Sequence, residues 1–325
     1  MNEFCLNILI PGLGKRWQCG GLWSLISTAS LDLTIKTRIV TYIDREEGYL
    51  FLNDLNIKDS DFFLIGWGPH ITYLSKKIPE NRIIINSHSF LSSARPPESA
   101  PIICSSRYTL SNWARYQSAR PLYLIPGIID DHFINKGHDR PIDILIFERK
   151  ISPYLKKLLL PKLENVSNVF LVTNHIEDLS ELYNKSKILL YDSRWHFSSY
   201  NTEEGFGLHP LEARACGCNV FTSFNGALSQ YFEIPGFHQI HINDSQYDMD
   251  TILKVLKTPT PENIDISAYR KENIRKLWNA TIESCITFLI STQSNKQELL
   301  LLKKMNFNAL LQRYLQRALK RFGQL

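Results

Sequence analysis

Apolar runs of strand length recur along this chain, separated by polar segments and by stretches whose apolar residues repeat every three or four positions. The first run covers residues 6–10 and ends in Pro11-Gly12-Leu13-Gly14. Further runs occupy 37–43, 61–66, 82–86 and 101–104, with helical segments at 22–31 and 108–118 among them. A polar stretch, 135–140, breaks the pattern, which restarts with 142–147, 168–173, 187–191 and 219–223. Within 264–290, Ile274, Leu277, Trp278, Ile282, Cys285, Ile286 and Leu289 recur at helical spacing and predict a core-facing helix. Strands alternating with helices predict parallel, doubly wound α/β sheets. The break predicts two of them, a Rossmann-like domain over 1–134 and a second over 135–290. Ligands of such sheets bind beyond the carboxyl ends of the strands.

The last segment, 291–325, differs in kind. At 100° per residue, Phe307, Leu311, Tyr314, Leu315, Ala318 and Phe322 share one face, and Arg313, Arg317, Lys320 and Arg321 an adjacent one. This predicts a basic amphipathic helix, suited to an anionic membrane surface or to a protein contact. The whole chain of 325 residues carries a net charge of +5, but residues 295–325 alone carry +6. The body therefore nets about −1, which argues against nucleic-acid binding. No apolar run reaches the roughly 20 residues of a membrane span, and the N-terminal run reads as a first strand rather than a secretory signal. Six scattered cysteines form no disulfide framework; Cys216 and Cys218 read as buried free thiols. A reducing cytoplasm is the expected setting, with peripheral attachment to the inner face of the membrane if the tail binds lipid.

The chemistry concentrates in residues 202–217, between the runs 187–191 and 219–223. A polar loop broken by Gly205 and Gly207 leads into a short helix with Pro210 in its first turn and Gly217 at its stop. Glycines at the start of a helix let a ligand reach backbone N–H groups at the positive end of the dipole. Glu204 and Glu212, eight residues apart, flank that position. An anionic middle with hydroxyls at either end, as in a sugar nucleotide, suits the arrangement. At the N-terminus a dinucleotide fingerprint fails, because Trp17 stands where a third glycine belongs. Gly20-Gly21 instead opens the next helix, where paired glycines can present N–H groups to a phosphate.

This stretch closely resembles the E-x7-E signature of the retaining family-4 glycosyltransferases, roughly E-G-F-G-L-P-x-L-E-A-x-A-C-G. It matches at Glu204 to Leu208, Pro210 to Ala213 and Ala215 to Gly217, with His209 as an extra residue. The resemblance implies the GT-B fold, two Rossmann-like domains facing across a cleft. It also implies sugar transfer from a nucleoside-diphosphate sugar to a hydroxyl of a saccharide or lipid-linked acceptor, with retention and without a metal or cofactor. Glu204 would then meet the donor sugar and Glu212 the ribose, while the amides of Gly205, Phe206, Gly207 and Leu208 hold the diphosphate. Gly20 and Gly21 would face the donor phosphates, and His88, just after a strand, would hold the sugar from the opposite wall. Residues 128–133 resemble the family's domain-joining segment, and the helix within 264–290 should cross back onto the first domain.

The chain departs from the pattern at several places. The family's G-R appears as Glu148-Arg149, and no K-G follows. Arg149 would neutralise the leaving diphosphate together with a lysine that could be Lys150, Lys156 or Lys157. Ala227 replaces a loop glycine, and the joining segment is one residue short. These losses keep two other readings open: a non-catalytic sugar-nucleotide-binding partner protein, and an epimerase or hydrolase of the same fold. Asp59-Ser60-Asp61 and Asp248-Met249-Asp250 have the D-x-D spacing of metal-dependent transferases but read as solvated acids.

Overall fold

The computed structural model of the protein describes residues 4–17, 19–66, 68–116, 120–198, 202–241, 244–258 and 263–294, with five helical positions beyond them, 304, 307, 308, 311 and 312. The rest of the amphipathic segment predicted over 291–325 lies outside the described residues. Phe307 and Leu311, which do not, are exposed.

Two sheets, parallel throughout, organise the chain. The first contains β1 (Cys5–Ile10), β2 (Lys36–Thr41), β3 (Leu50–Phe51), β4 (Asp61–Ile65), β5 (Ile83–Ser87), β6 (Ile102–Cys104) and β7 (Leu122–Leu124), in the order β3-β2-β1-β4-β5-β6-β7. The second contains β8 (Ile142–Phe147), β9 (Val169–Val172), β10 (Ser186–Tyr191), β11 (Asn219–Thr222) and β12 (Phe237–Gln239), in the order β12-β11-β10-β8-β9. The strand direction of travel reverses between β1 and β4 in one sheet and between β8 and β10 in the other. Such reversals open a crevice at the carboxyl edge. β1, β4 and β5 are buried along their whole length, because helices cover both faces of a parallel sheet; hence their unbroken apolar sequence. Leu6, Ile8 and Ile10 point to one face and Leu9 to the other, each into a separate cluster, as the two-residue period of a strand requires.

The face holding Leu6, Ile8 and Ile10 is covered by the helix Gly20–Ala29, through Leu22 and Leu25, and by the long helix Lys271–Ser294. Its Ile274, Trp278, Ile282, Cys285, Ile286 and Leu289 join that cluster. The chain thus crosses into the second domain and returns. Leu277 does not share this face and is 42% exposed, which corrects its place in the core stripe. Where the chain crosses, Arg270 donates to the carbonyls of Ile129, Asp130 and Phe133, and the Ile129 N–H donates to the Tyr269 carbonyl at 2.9 Å. Both crossings are therefore tied together.

The aspartates of the two D-x-D spacings are not all solvated. Asp59 is fully exposed at its side chain, but Asp61 is buried and paired with Arg38 at 3.0 Å. Asp248 is buried too, accepting from Tyr154 at 2.6 Å and from the His241 N–H at 3.0 Å. The second member of one pair and the first of the other therefore serve the packing of their own domains. Cys216 and Cys218 are buried free thiols, with the Cys218 Sγ donating to the Tyr183 carbonyl at 3.1 Å.

Candidate active site

The motif forms where the second sheet reverses. Gly207 takes a left-handed conformation (φ 87°) and caps the helix Leu208–Ala215, and Gly217 (φ 92°) ends it. A side chain at either position would be strained. Glu204 stands on the preceding loop, its carbonyl accepting from the Ala227 N–H at 2.8 Å. Ala227 makes this bond in place of the family's glycine, whereas Gly226 needs its lack of a side chain because a Cβ there would strike the Glu204 backbone.

The Glu204 side chain is held by three donors. Its Oε2 accepts from the Tyr191 hydroxyl at 2.7 Å and from Ser193 Oγ at 3.3 Å, and it pairs with Lys150 Nζ at 3.6 Å. Lys150 Nζ also donates to the Tyr191 hydroxyl at 2.6 Å. Lys150 follows β8 and Tyr191 ends β10, so both stand at the crevice that the strand order creates. Of the lysines considered, Lys150 is thus the one brought to Glu204. Lys156 is exposed and pairs with Glu148 at 3.3 Å, because the turn 148–150 and the helical turn after it place those two side chains outside the crevice. Arg149 is exposed on the same turn. Burial, then the charges of Lys150 and Arg149, lower the pKa of His196.

Glu212 lies one helical turn into the motif helix. Its side chain is 12% exposed, and its buried Oε2 has no hydrogen-bond partner. Burial pushes its carboxyl up to about 7, against the pull of the Lys150 charge and with some help from Asp130. His209 Nδ1 lies 3.6 Å from that oxygen and is hydrogen-bonded to the Tyr183 hydroxyl at 2.8 Å. Its ring stacks on Phe147, with centroids 4.8 Å apart. Burial lowers His209 to about 3, so the ring is neutral and supplies no counter-charge. An acceptor left unpaired in a buried site is costly and suits a hydroxyl-bearing ligand.

The first domain forms the opposite wall. His88 follows β5; its buried Nε2 has no hydrogen-bond partner, and burial lowers its pKa to about 4. It lines a cavity of about 230 Å³ with Gly66, Gly68, Leu91, Trp113 and Thr202. Gly20 and Gly21 open the helix Gly20–Ala29; Gly21 faces the His88 ring, while the space at Gly20 is open. The walls touch directly. A Cβ on Gly205 would collide with the His88 carbonyl, so this glycine admits the other domain rather than only a ligand. Ser105 Oγ lies 2.7 Å from the His88 carbonyl and 3.0 Å from that of Gly205, and Thr202 Oγ1 donates to the Phe90 carbonyl at 2.9 Å. Phe206 is buried, its carbonyl accepts from Tyr231, and its ring fills the space over Gly127.

Residues 152–272 match the family of glycosyl transferases group 1. The matched segment covers a little over a third of the chain. It takes in Glu204, Glu212, Tyr191 and the motif helix, and it supports glycosyl transfer as the general class of activity. No curated protein sequence matches the chain. Among solved structures, the trehalose-6-phosphate phosphatase N-terminal domain of Candida albicans is similar at 11% identity and a TM-score of 0.56, over 89% of this chain and 97% of that one. AviGT4, a glycosyltransferase involved in avilamycin A biosynthesis, is similar at 15% identity and a TM-score of 0.54, over 91% and 98%. The UDP-forming α,α-trehalose-phosphate synthase of Burkholderia vietnamiensis gives 10% and 0.54, over 90% and 100%. At such identities the likeness speaks for the fold, which is the two-domain, Rossmann-like GT-B arrangement.

Three contributors to the candidate site are absent from the E-x7-E signature: Tyr191, Ser193 and Ser105. The signal for Tyr191 was present, a tyrosine closing an otherwise apolar strand. Ser105 carries no local signal, since its role depends on how the domains meet.

Proposed function

We propose that this protein transfers a sugar from a nucleoside-diphosphate sugar to a hydroxyl of a saccharide or lipid-linked acceptor, retaining the anomeric configuration and needing no metal. The observation that carries this reading is the pairing of Lys150 with Glu204 beside the unpartnered oxygen of Glu212, all at one crevice. Glu212 would accept from the ribose hydroxyls and Glu204 from the donor sugar. Lys150, Arg149 and the amides of Gly205 to Leu208 would stabilise charge developing on the leaving diphosphate, by preorganised electrostatics. His88 would hold the sugar from the first domain, next to the phosphate-facing Gly20 and Gly21. Closure of the walls would exclude water and limit hydrolysis. On its sequence, the tail 295–325 is proposed to hold the enzyme to an anionic membrane surface or to a protein, on the cytoplasmic side.

The test is a thermal-shift screen against UDP, GDP, ADP, CMP and dTDP and their sugars in the presence of EDTA. A ligand at about 100 times its dissociation constant adds roughly 2.7 kcal/mol of stability. A shift with one nucleotide family, followed by sugar transfer with an axial product from an axial donor, supports the reading. Absence of any shift removes the donor site. Binding with hydrolysis or epimerisation alone removes the transfer reaction.

A further inference from the structure

We infer that Tyr191 is the positioning residue of this site: its hydroxyl fixes the Glu204 carboxylate for the donor sugar and holds the Lys150 ammonium ready for the diphosphate. The inference rests on the donor-site reading given above. It adds a residue that the motif does not contain.

The direction of the hydrogen bonds follows from chemistry alone. Lys150 Nζ, 2.6 Å from the Tyr191 hydroxyl, has protons to give and no lone pair. The phenol oxygen must therefore accept from it, and its single proton is committed to Glu204 Oε2 at 2.7 Å. The chain runs from Lys150 through Tyr191 to Glu204. Burial and the charge of Glu204 push the phenol pKa well above its ordinary range, which keeps it a neutral donor.

Packing does not explain the hydroxyl. Tyr191 is 2% exposed and belongs to an apolar cluster with Leu145, Leu189 and Leu211. A phenylalanine would fill the same space, and a buried hydroxyl is unfavourable unless bonded. Both of its bonds go to charged groups of the site. The register places Leu190 beside Ile146, so Tyr191 emerges level with the end of β8 and a few residues from Lys150. The direct Lys150–Glu204 pair, at 3.6 Å, is the loosest of the three contacts. A diphosphate that draws Lys150 away would break that contact first, leaving Glu204 on Tyr191 and Ser193 in its sugar-binding position.

The test is Tyr191→Phe, alone and combined with Glu204→Gln, assayed with the nucleoside-diphosphate sugar found by the thermal-shift screen. The single variant should fold, with a melting temperature within a few degrees of wild type, and lose at least about tenfold in kcat, the usual consequence of deleting a hydrogen bond to a charged group. The loss should fall on kcat, with donor KM changed by less than about threefold, because Glu212, Lys150 and the loop amides remain to bind the nucleotide. In the Glu204→Gln background the tyrosine change should cost clearly less than in the wild type, since only its hold on Lys150 is then left to lose. An unchanged kcat, a loss confined to KM, or losses that multiply in the double variant would overturn the inference while leaving the donor site intact. If no nucleoside-diphosphate sugar binds the wild type, the donor site itself falls and the inference with it.

Discussion

The carbonyl of His88 rests on Gly205, so near that no other residue fits at that position. The two belong to different domains. Their contact, with Ser105 bridging both carbonyls, defines a closed cleft.

Gly205→Ala should therefore fold but fail to close. Each domain keeps its own core, so the loss of stability is modest. A displacement of about 1 Å at a reacting centre can lower the rate on the order of 100-fold. Transfer assays beside a melting curve check this; full activity would mean that the contact is not made during turnover.

Glu212 links stability to pH. Its carboxyl moves from 4.5 in the unfolded chain to about 7 when folded. A proton held more tightly by the folded state stabilises it fully below pH 4.5, and that contribution is lost as pH rises through 7. Between those limits the wild type should lose up to about 3 kcal/mol relative to Glu212→Gln. The same variant should bind the donor more weakly by about 1.5–3 kcal/mol. Denaturant titrations at pH 4.5 and 8, with and without nucleotide, measure both effects.

His88 and His209 act with the opposite sign. Burial lowers them to about 4 and about 3. The folded state binds their protons poorly, so their contribution is present above the ordinary pKa of 6.5 and is lost as pH falls toward the folded values. His88→Asn and His209→Asn should each flatten the acid side of the stability curve. The check is the melting temperature between pH 6.5 and pH 4, where wild type should fall by several degrees more than either variant.

Lys150 and Lys156 should separate cleanly. Lys150→Ala should weaken nucleoside-diphosphate binding by about 1.5–3 kcal/mol, as expected for a lost charged hydrogen bond. Lys156→Ala removes an exposed pair with Glu148 and should change binding by no more than about 0.5 kcal/mol. Isothermal titration with the nucleoside diphosphate decides between them.

Much of this architecture is legible in the sequence because the signals are local. Strand runs such as 61–66 and 82–86 agree with the observed strands to within a residue or so, since a fully buried parallel strand must be apolar throughout. Gly217 could be read as a left-handed stop because so few residues tolerate that conformation. What escaped depends on distant partners. Gly205 reads as a place for a ligand to approach, and the His88 carbonyl that also meets it comes from more than a hundred residues away. Asp61 and Asp248 read as solvated until Arg38 and Tyr154 are seen beside them. Leu277 fits the helical period, yet it sits at the margin of the stripe, where 100° per residue no longer decides between core and water.

The return helix, Lys271–Ser294, has a consequence for how the molecule is made. Leu6, Ile8 and Ile10 cluster with Trp278, Ile282 and Leu289, which are synthesised more than 260 residues later. The first sheet is made before the second but completed after it. Until the return helix arrives, this face of the first sheet is covered only in part, by Leu22 and Leu25 of the helix Gly20–Ala29, whereas the strands of the second sheet have already been made. The motif-bearing half can thus complete its core first, while the half built earlier waits for the return helix to close it.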